Sequence, residues 1–458
     1  MSRLRLFLAA AIFVLAWTLS SALEPERESG VLPIDPPTPY IHYFCGGSPI
    51  GRVLVVHGMD ASKEVTRLIS AALADGGFEV YDIDLPGHGD SPAKFRTDLA
   101  QHAIHNAKAF LGEGTFVLGH SLGASLLLDL AATDPFSTMV LLAPPPISIA
   151  QIHADRVLIA TGEMDIPRIR EFLPIAADIG NPNTESWTLP WGGHTAPVFN
   201  PAFIGRVVQW LGGDGGKTKT TARLVLIAVM FVAAIGFGVL LVPGRELEPV
   251  RAPVATMLVR YVAASAVALV VLRFVNPLHW LRLFSTDYVI GFLLVTGLAL
   301  IAGRGFSWRG PAKSAPYLRA TAAALYVIAV PGLLIGSRVL HMSLSDGRWW
   351  RFPFITLAGL PLFISDEWII RRIRPRWKSE AVALLTRGLL LAFILTGVLT
   401  LNRESAFLVM IAPLIVIFWI ALWFATGVIH RHTQSPIAAA LFAALVQGWA
   451  FAAWFITT

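Results

Sequence analysis

Hydrophobic positions follow two different patterns in the two halves of this chain. From about residue 40 to residue 213, short apolar runs rich in β-branched residues alternate with longer amphipathic stretches. The apolar runs lie at 52–57, 78–83, 115–119, 138–142, 156–160 and 186–189. Strands that alternate with helices in this way are typical of right-handed βαβ units. We therefore expect an α/β domain over 40–213, with a mostly parallel sheet covered by helices on both faces.

The second half of the chain consists mainly of long apolar runs. Eight of them approach the ~20 residues that a helix needs to cross a bilayer. Eight such runs in series are not typical of a water-soluble core, so we expect an all-α bundle of eight transmembrane helices over 222–458, after a short linker at 214–221. The runs lie at about 222–243, 252–273, 285–304, 317–338, 353–370, 381–401, 405–428 and 436–457.

The first 22 residues have the three parts of a secretory signal peptide. Arg3 and Arg5 precede an apolar run at about 6–19, and small residues follow at 20–22. An uncleaved anchor helix fits the same pattern, and both alternatives deliver the next residues to the outside of the membrane. Residues 23–39 are rich in Pro and Glu, which predicts an exposed linker before the α/β domain.

Composition and charge agree with this division. Only 14% of the residues are charged and the mean hydropathy is +0.63, whereas soluble proteins have about 25% charged residues. The net charge of +6 combines −9 in residues 1–216 with +15 in residues 217–458. The basic surplus therefore indicates membrane orientation and lipid headgroups, and no nucleic-acid partner is expected. The single cysteine, Cys45, excludes an intramolecular disulfide framework.

The densest basic cluster predicts the orientation of the spans. Five Lys/Arg residues lie between the fifth and sixth predicted spans, and basic residues favour cytoplasmic loops. We therefore expect an integral membrane protein with the α/β domain on the extracytoplasmic side. The five residues are Arg371, Arg372, Arg374, Arg376 and Lys378.

A candidate nucleophile lies in the sequence G-H-S-L-G at 119–123. A predicted strand precedes this sequence and a predicted helix, 124–132, follows it. A sharp turn from strand to helix exposes the serine Oγ at the carboxyl edge of the sheet, and small flanking residues relieve the crowding there. We therefore expect Ser121 to be a nucleophile rather than an incidental serine in a glycine-rich turn.

A serine needs a base to accept its proton and an acid to orient that base. Asp165 follows the predicted strand at 156–160 in the sequence G-E-M-D, and His194 ends the sequence W-G-G-H after the last predicted strand. Asp165 could equally cap the next helix, and Glu163 is an alternative acid. The order nucleophile, acid, base favours Ser121, Asp165 and His194 as the catalytic residues.

The negative charge of a tetrahedral intermediate also requires preorganised N–H donors. We expect one donor to be the backbone N–H of Leu122, the residue after the nucleophile. The other is expected from Met59, in the loop that follows the first strand of the α/β domain and its His57-Gly58 pair. A plain strand-to-helix turn at Gly58 is compatible with this role.

With these motifs in place, residues 40–213 resemble the α/β-hydrolase superfamily. The His57-Gly58 pair, D-L-P-G-H-G-D-S at 84–91, the G-x-S-x-G elbow, G-x-x-D and Gly-Gly-His occur in the order typical of that family. The resemblance implies a serine hydrolase of esters, thioesters or amides with Ser121, Asp165 and His194 as its triad. Only about ten residues separate two late strands where many relatives insert a helical cap, so we expect a capless, open site.

The sequence thus predicts a membrane-bound serine hydrolase that cleaves carboxylic ester, thioester or amide bonds. A capless site tethered at a bilayer favours small or lipid-like ester substrates. The alternative is a multi-span transporter or sensor that carries an accessory hydrolase-like domain. The sequence contains no cysteine and histidine cluster with zinc spacing and no phosphate-binding glycine loop, so we expect no metal and no other cofactor.

Charged residues within predicted spans are costly and therefore call for an explanation. Arg260 lies in the second span, Arg387 in the sixth, and Asp366 and Glu367 in the fifth. With Arg371, the two acids form D-E-x-x-x-R, which is similar to the first motif of CAAX-protease-like membrane proteins. That family also needs histidines in later spans, and none is found in the spans predicted here. We therefore expect interhelical ion pairs, or a position of these acids near the inner interface.

Overall fold

A computed structural model of the chain describes residues 2–147, 152–178, 183–249, 254–302, 314–344, 347–402 and 408–457. It divides into two compact units. The α/β unit comprises Ala11–Val232, Ile335–Asp346 and Ile456–Thr458, and the helical unit comprises Met1–Ala10, Ala233–Leu334 and Gly347–Phe455. Parts of three predicted spans, 252–253, 303–304 and 405–407, lie outside the described residues.

A single sheet forms the centre of the α/β unit. Its spatial order is β1-β2-β4-β3-β5-β6-β7-β8. The first two pairs in that order are antiparallel, and the remaining five pairs are parallel. The strands are β1 (Arg27–Leu32), β2 (Thr38–Tyr43), β3 (Arg52–Val56), β4 (Glu79–Ile83), β5 (Phe116–His120), β6 (Phe136–Leu142), β7 (Ala154–Gly162) and β8 (Thr184–Leu189).

Helices cover both faces of this sheet. The third, fourth and fifth helices contribute to the hydrophobic core on one face, and the second, sixth and seventh contribute to the core on the other. In chain order, the first eight helices of the described residues are α1 (Ser2–Leu23), α2 (Arg67–Asp75), α3 (Thr97–Leu111), α4 (Leu122–Leu130), α5 (Pro167–Asp178), α6 (Ala196–Phe199), α7 (Pro201–Trp210) and α8 (Thr220–Leu241).

Strand β3 shows why its sequence is apolar without alternation. Leu54 and Val56 lie in the core on one face, and Val53 and Val55 lie in the core on the other. A parallel strand buried on both faces needs a continuous apolar run. This confirms the predicted mostly parallel sheet covered on both sides. Residues 143–153 connect β6 to β7, and part of this connection, 148–151, lies outside the described residues.

The first two strands were not predicted. Residues 27–32, expected to be part of a linker, pair with β2 at the edge of the sheet. Most of β1 is exposed, as an edge strand with one solvated face allows, and its polar composition therefore resembles that of a linker. Prolines at 33, 36 and 37 lie in the turn between the strands, so the Pro-rich sequence marks a hairpin connection.

Within the described residues, eight helices are long and apolar enough to cross a membrane, by length and composition. Seven of them match predicted spans in the second half, and the eighth is the segment Arg3–Leu23. The predicted span at 285–304 corresponds to a shorter apolar helix, α10. The later helices are α9 (Val254–Phe274), α10 (Thr286–Ala302), α11 (Ala315–Val327, continued by a π-helical stretch to Ile335), α12 (Arg351–Ile369), α13 (Arg376–Thr400), α14 (Leu408–Thr433) and α15 (Pro436–Trp454).

Buried ion pairs connect helices of the helical unit. Arg387 on α13 donates to Asp366 on α12 over 2.5 Å, and Tyr261 on α9 donates to the same carboxylate. The expectation of interhelical ion pairing is therefore confirmed for Asp366. Arg260, one residue before Tyr261, is exposed on the surface of the unit.

The adjacent carboxylate makes a second buried cluster. Arg371 donates to Glu367 over 3.1 Å, and His430 Nδ1 lies 2.8 Å from the other Glu367 oxygen. The expectation that no later span contains a histidine is therefore wrong, because α14 continues to Thr433 and does not end at the predicted residue 428. Arg371 is also buried, so it belongs to this cluster and is not a free charge of an inner loop.

A segment between α11 and α12 belongs to the α/β unit. Its Arg338 donates to Ser20 Oγ over 2.7 Å, and the guanidinium stacks over the Trp17 ring at 4.4 Å. The same guanidinium lies 3.7 Å from Glu24. Residues 17–24 and residue 338 are therefore packed together although more than 300 positions separate them in the sequence.

Candidate active site

Ser121 occupies a strained turn between β5 and α4. Its φ is +52°, in the left-handed region that side chains rarely adopt, and such a turn is typical of a nucleophile elbow. Two glycines make the turn possible. A Cβ on Gly119 would lie 2.6 Å from the nitrogen of Ala124, and a Cβ on Gly123 would lie 2.4 Å from the carbonyl oxygen of Val56.

The three predicted catalytic side chains lie in one hydrogen-bonded line. His194 Nε2 is 2.9 Å from Ser121 Oγ, and His194 Nδ1 is 3.0 Å and 3.1 Å from the two carboxylate oxygens of Asp165. The Asp165 carboxylate accepts a hydrogen bond from the N–H at His194 Nδ1, which leaves Nε2 without a proton and able to accept the proton of Ser121. A nucleophile, a base and an acid within hydrogen-bond reach satisfy the geometric requirement for serine activation.

The Asp165 carboxylate has its own supporting donors. Thr161 Oγ1 donates to Oδ2 over 2.9 Å, and the backbone N–H of Ile166 donates to Oδ1 over 2.7 Å. Burial raises the pKa of Asp165. The hydrogen bond from His194, the electrostatic interaction with His194 and the hydrogen bonds from Thr161 and Ile166 together lower this pKa by more. The pKa therefore lies below its usual value, and the carboxylate is ionised at neutral pH.

Glu163, the alternative acid, has a different contact. Its Oε2 accepts from the backbone N–H of Trp191 over 3.0 Å. Met164 N–H donates to the carbonyl of Gly192 over 2.7 Å, so both hydrogen bonds join the loops that carry Asp165 and His194. Glu163 thus connects these loops, and Asp165 is the carboxylate that contacts His194.

The loop with the predicted oxyanion donor packs directly against the nucleophile. A Cβ on Gly58 would lie only 3.0 Å from Ser121 Cβ, so only glycine lets this loop approach so closely. Met59 follows Gly58, and Leu122 is the first residue of α4, where backbone N–H groups have no acceptor within the helix. The two expected donors therefore belong to segments that border the serine.

A buried histidine orients this loop. The backbone N–H of Leu85 donates to His57 Nε2 over 3.1 Å, so the proton is on Nδ1, which donates to the carbonyl of Gly58 over 2.8 Å. Burial lowers the pKa of His57 although Asp84 acts in the opposite direction. The neutral ring thus connects the loop after β3 with the loop after β4.

His120 is a residue of the site that the sequence did not single out. Its Nε2 donates to the carbonyl oxygen of His194 over 3.1 Å. Burial and the neighbouring His194 lower the pKa of His120 to about 3, so the ring is neutral at physiological pH. The G-H-S-L-G sequence contains this residue, but its contact with a loop 74 positions later has no local signal.

A charged cluster lies beside the loop that follows β4. Lys63 Nζ is 2.7 Å from Asp90 and 2.5 Å from Asp84, and it is 3.3 Å from Glu64. His341 lies 3.7 Å from Glu64. Within the described residues, Glu64, Asp90 and His341 form the one group close enough to hold a metal ion. The ammonium of Lys63 already supplies the positive charge among these carboxylates, so the donor set fits an ion-pair network better than a metal site.

Comparisons with known proteins match part of the α/β domain. The family model described as serine aminopeptidase, S33, matches residues 47–163. A monoglyceride lipase homolog of monkeypox virus is 27% identical over 107 residues, which cover 21% of this chain and 39% of that protein. A serine hydrolase-like protein of Dictyostelium discoideum is 30% identical over 90 residues, covering 18% and 25%. The chain therefore spans well under half the length of these relatives.

Among solved structures, an esterase of Pyrococcus furiosus is 18% identical, with a TM-score of 0.37; the match covers 42% of this chain and 94% of the esterase. A carboxylesterase of Bacillus subtilis is 16% identical, with a TM-score of 0.36; the match covers 44% of this chain and 98% of that structure. Both matches involve less than half of the chain described here.

Proposed function

We propose that this chain, whose first half is an α/β-hydrolase domain, is a membrane-bound serine hydrolase that cleaves carboxylic esters. One observation carries the proposal: Ser121, His194 and Asp165 form an unbroken line of hydrogen bonds of 2.9–3.1 Å. The strained backbone at Ser121 supports it, since backbone strain at a serine between a strand and a helix is a feature of catalytic elbows.

In the proposed reaction, Ser121 Oγ attacks the carbonyl carbon of the ester while His194 Nε2 takes the hydroxyl proton. The tetrahedral intermediate collapses when the imidazolium returns this proton to the leaving alkoxide, which leaves an acyl group on Ser121. A water molecule, deprotonated by His194, then attacks the acyl-enzyme carbonyl; the bond to Ser121 Oγ breaks, the acid is released and His194 returns the proton to Ser121 Oγ. Asp165 keeps the proton on Nδ1 and stabilises the imidazolium in both steps.

The backbone N–H groups of Met59 and Leu122 are the proposed oxyanion donors. They hydrogen-bond to the carbonyl oxygen as its negative charge develops, and such preorganised donors are worth about 10²–10³-fold in kcat each. The packing of Gly58 against Ser121 supports Met59 as one donor. The first position of α4 supports Leu122 as the other.

Exposed apolar residues around the acid and base loops favour a lipid-like substrate. Trp191 is 84% exposed, Met164 66% and Ile166 37%, and these residues lie on the two loops that carry Asp165 and His194. Apolar residues beside Ser121 suit an acyl chain, because apolar surface is shielded when such a chain binds. The relative named as a monoglyceride lipase homolog agrees with this substrate class. Thioesters and amides are the alternative substrates.

The proposed location is the membrane, with the catalytic domain on the extracytoplasmic side. Long apolar helices support membrane insertion, and the remaining basic residues at 372–378 support the orientation. We further propose that α1 is an uncleaved anchor. Ser20 and Trp17 hold Arg338, and cleavage after residue 22 would remove both contacts.

The experiment is ester hydrolysis by the full chain in detergent or proteoliposomes, measured with monoacylglycerols and simple esters of different acyl length. Ser121→Ala is expected to lower kcat by about 10⁶-fold. Ser125→Ala is the matched control, since Ser125 lies on α4 and donates to the carbonyl of Pro145, away from the triad; its kcat should stay close to the wild type. Activity of Ser121→Ala near the wild-type level would refute the proposal. An inactive but folded wild-type protein would favour the alternative, an accessory domain on a transporter or sensor.

A further inference from the structure

Ile456 and Thr457, which follow α15, are part of the α/β unit although they are far in sequence from the rest of that unit. Ile456 and Thr457 belong to the same compact unit as the sheet, and Ile456 is completely buried. More than 360 positions separate them from the loops that they contact. These two residues are called the strap below.

The strap joins the loop after β4 by backbone hydrogen bonds. Thr457 N–H donates to the carbonyl of Gly87 over 3.1 Å, and Phe95 N–H donates to the carbonyl of Thr457 over 3.3 Å. Gly87 has a φ of +77°, and a Cβ there would lie 2.8 Å from the Thr457 oxygen. The close approach of the strap therefore depends on glycine at position 87.

The strap also contacts the oxyanion loop directly. Ile456 N–H donates to Asp60 Oδ1 over 3.2 Å, and Asp60 is the residue after Met59. Asp60 has a φ of +50°, a conformation that aspartate tolerates better than most residues but that still needs support from its surroundings. The hydrogen bond from Ile456 fixes the side chain of this strained residue.

A pair of histidine rings connects the two loops that the strap contacts. His88, next to Gly87, packs its ring 4.9 Å from the ring of His57, and His57 binds both Leu85 N–H and the Gly58 carbonyl. The strap, the loop after β4 and the oxyanion loop are thus joined in a closed network of contacts. A displacement of the strap would move residues on both sides of Met59.

We propose that Ile456 and Thr457 are positioning residues that hold the Met59 N–H in place for oxyanion binding. The proposal rests on the proposed serine-hydrolase function, and it adds a dependence of catalysis on a segment that follows the last helix. An oxyanion donor acts mainly in the transition state. Loss of the strap contact should therefore lower kcat and leave KM nearly unchanged.

The test uses the full chain in detergent and the best ester substrate. Ile456→Pro removes the N–H that Asp60 accepts, and Phe455 already has the extended conformation (φ −80°, ψ 153°) that a following proline requires. Its matched control, Ile456→Val, keeps the N–H and nearly all of the buried side chain. We expect Ile456→Pro to lower kcat by about tenfold to a hundredfold, with KM within about twofold, and Ile456→Val to behave like the wild type.

A second pair of variants tests the same contact from the other side. Asp60→Ala removes the acceptor, whereas Asp60→Asn keeps an oxygen that can accept from Ile456. We expect the alanine variant to lose kcat like Ile456→Pro and the asparagine variant to recover most of it. If the two residues act through one contact, the Asp60→Ala and Ile456→Pro double variant should be little worse than either single variant.

The outcomes separate this inference from the proposed function. An unchanged kcat in Ile456→Pro and Asp60→Ala, with an active wild type, would overturn the inference and leave the hydrolase function standing. Independent, multiplying effects of the two substitutions would overturn it as well. If Ile456→Pro does not fold, as judged by its melting temperature, the comparison of Asp60→Ala with Asp60→Asn decides alone. A wild type without any esterase activity would instead refute the proposed function.

Discussion

Replacing Asp165 by asparagine should change the proton position on His194. Ile166 N–H donates to Oδ1 and fixes an acceptor there, so the amide oxygen of the asparagine should take that position. The amide NH₂ then takes the position of Oδ2, which lies 3.0 Å from His194 Nδ1. A donor at that position requires Nδ1 to accept, so the proton moves to Nε2. His194 could then no longer accept the proton of Ser121.

The magnitude follows from the role of the acid. Loss of the correct tautomer in a Ser-His-Asp triad lowers kcat by about 10⁴-fold, equivalent to about 5.4 kcal/mol in the activation free energy. The assay is steady-state ester hydrolysis by the full chain, with the melting temperature measured in parallel to show that Asp165→Asn is folded. Glu163→Gln is the matched control. Its amide oxygen can still accept from Trp191 N–H, so we expect kcat within a few-fold of the wild type.

The reverse pattern would contradict the role proposed for Asp165. If Asp165→Asn kept kcat within tenfold of the wild type while Glu163→Gln lost several orders of magnitude, Glu163 would be the acid that orients His194. Equal, small losses in both variants would show that neither carboxylate controls the tautomer.

Three other predictions concern packing, pH and the helical unit. Gly123→Ala should destabilise the protein by about 1–3 kcal/mol and lower kcat, because its Cβ would lie 2.4 Å from the Val56 oxygen. Gly47→Ala, with open space around its Cβ, should change neither stability nor kcat. Equal melting temperatures of the two variants would contradict this prediction. The pKa of His120 is lowered to about 3, so between pH 6.5 and 3 the unfolded chain binds a proton that the folded chain does not. Stability should therefore fall by up to about 1.4 kcal/mol per pH unit on acidification, and denaturant titrations of His120→Gln should show a shallower slope. Arg387→Met should cost about 3–5 kcal/mol of stability because it leaves the buried Asp366 carboxylate without its positive partner. Adding Asp366→Leu should recover most of this loss in thermal unfolding, and no recovery would argue against the ion pair.

Local patterns in the sequence were enough to predict the parallel part of the sheet and the turn that carries Ser121. The run V-L-V-V at 53–56 predicts a strand buried on both faces, and β3 has both of its faces in the core. The small residues around Ser121 predict a tight turn, and the distances from Gly119 and Gly123 to their neighbours show why no larger residue fits. Each of these features depends on residues that are close together in the chain.

Features that depend on distant residues could not be predicted in this way. Strand β1 is polar because most of it faces solvent, so only its pairing with β2 identifies it. The contacts of His120 with His194, and of Ile456 with Asp60, join positions 74 and 396 residues apart. His430 was missed because the apolar run predicts an end at 428, whereas the helix continues through a polar turn to Thr433.

We propose that Ser121 is the catalytic nucleophile of this chain, and covalent labelling can test this claim. The full chain would be treated with a serine-directed fluorophosphonate, digested and examined by mass spectrometry. The structure leads us to expect one phosphonylated peptide, modified at Ser121, with the label absent from Ser121→Ala and strongly slowed in Asp165→Asn. No labelling of folded wild-type protein, or labelling that persists in Ser121→Ala, would contradict the claim.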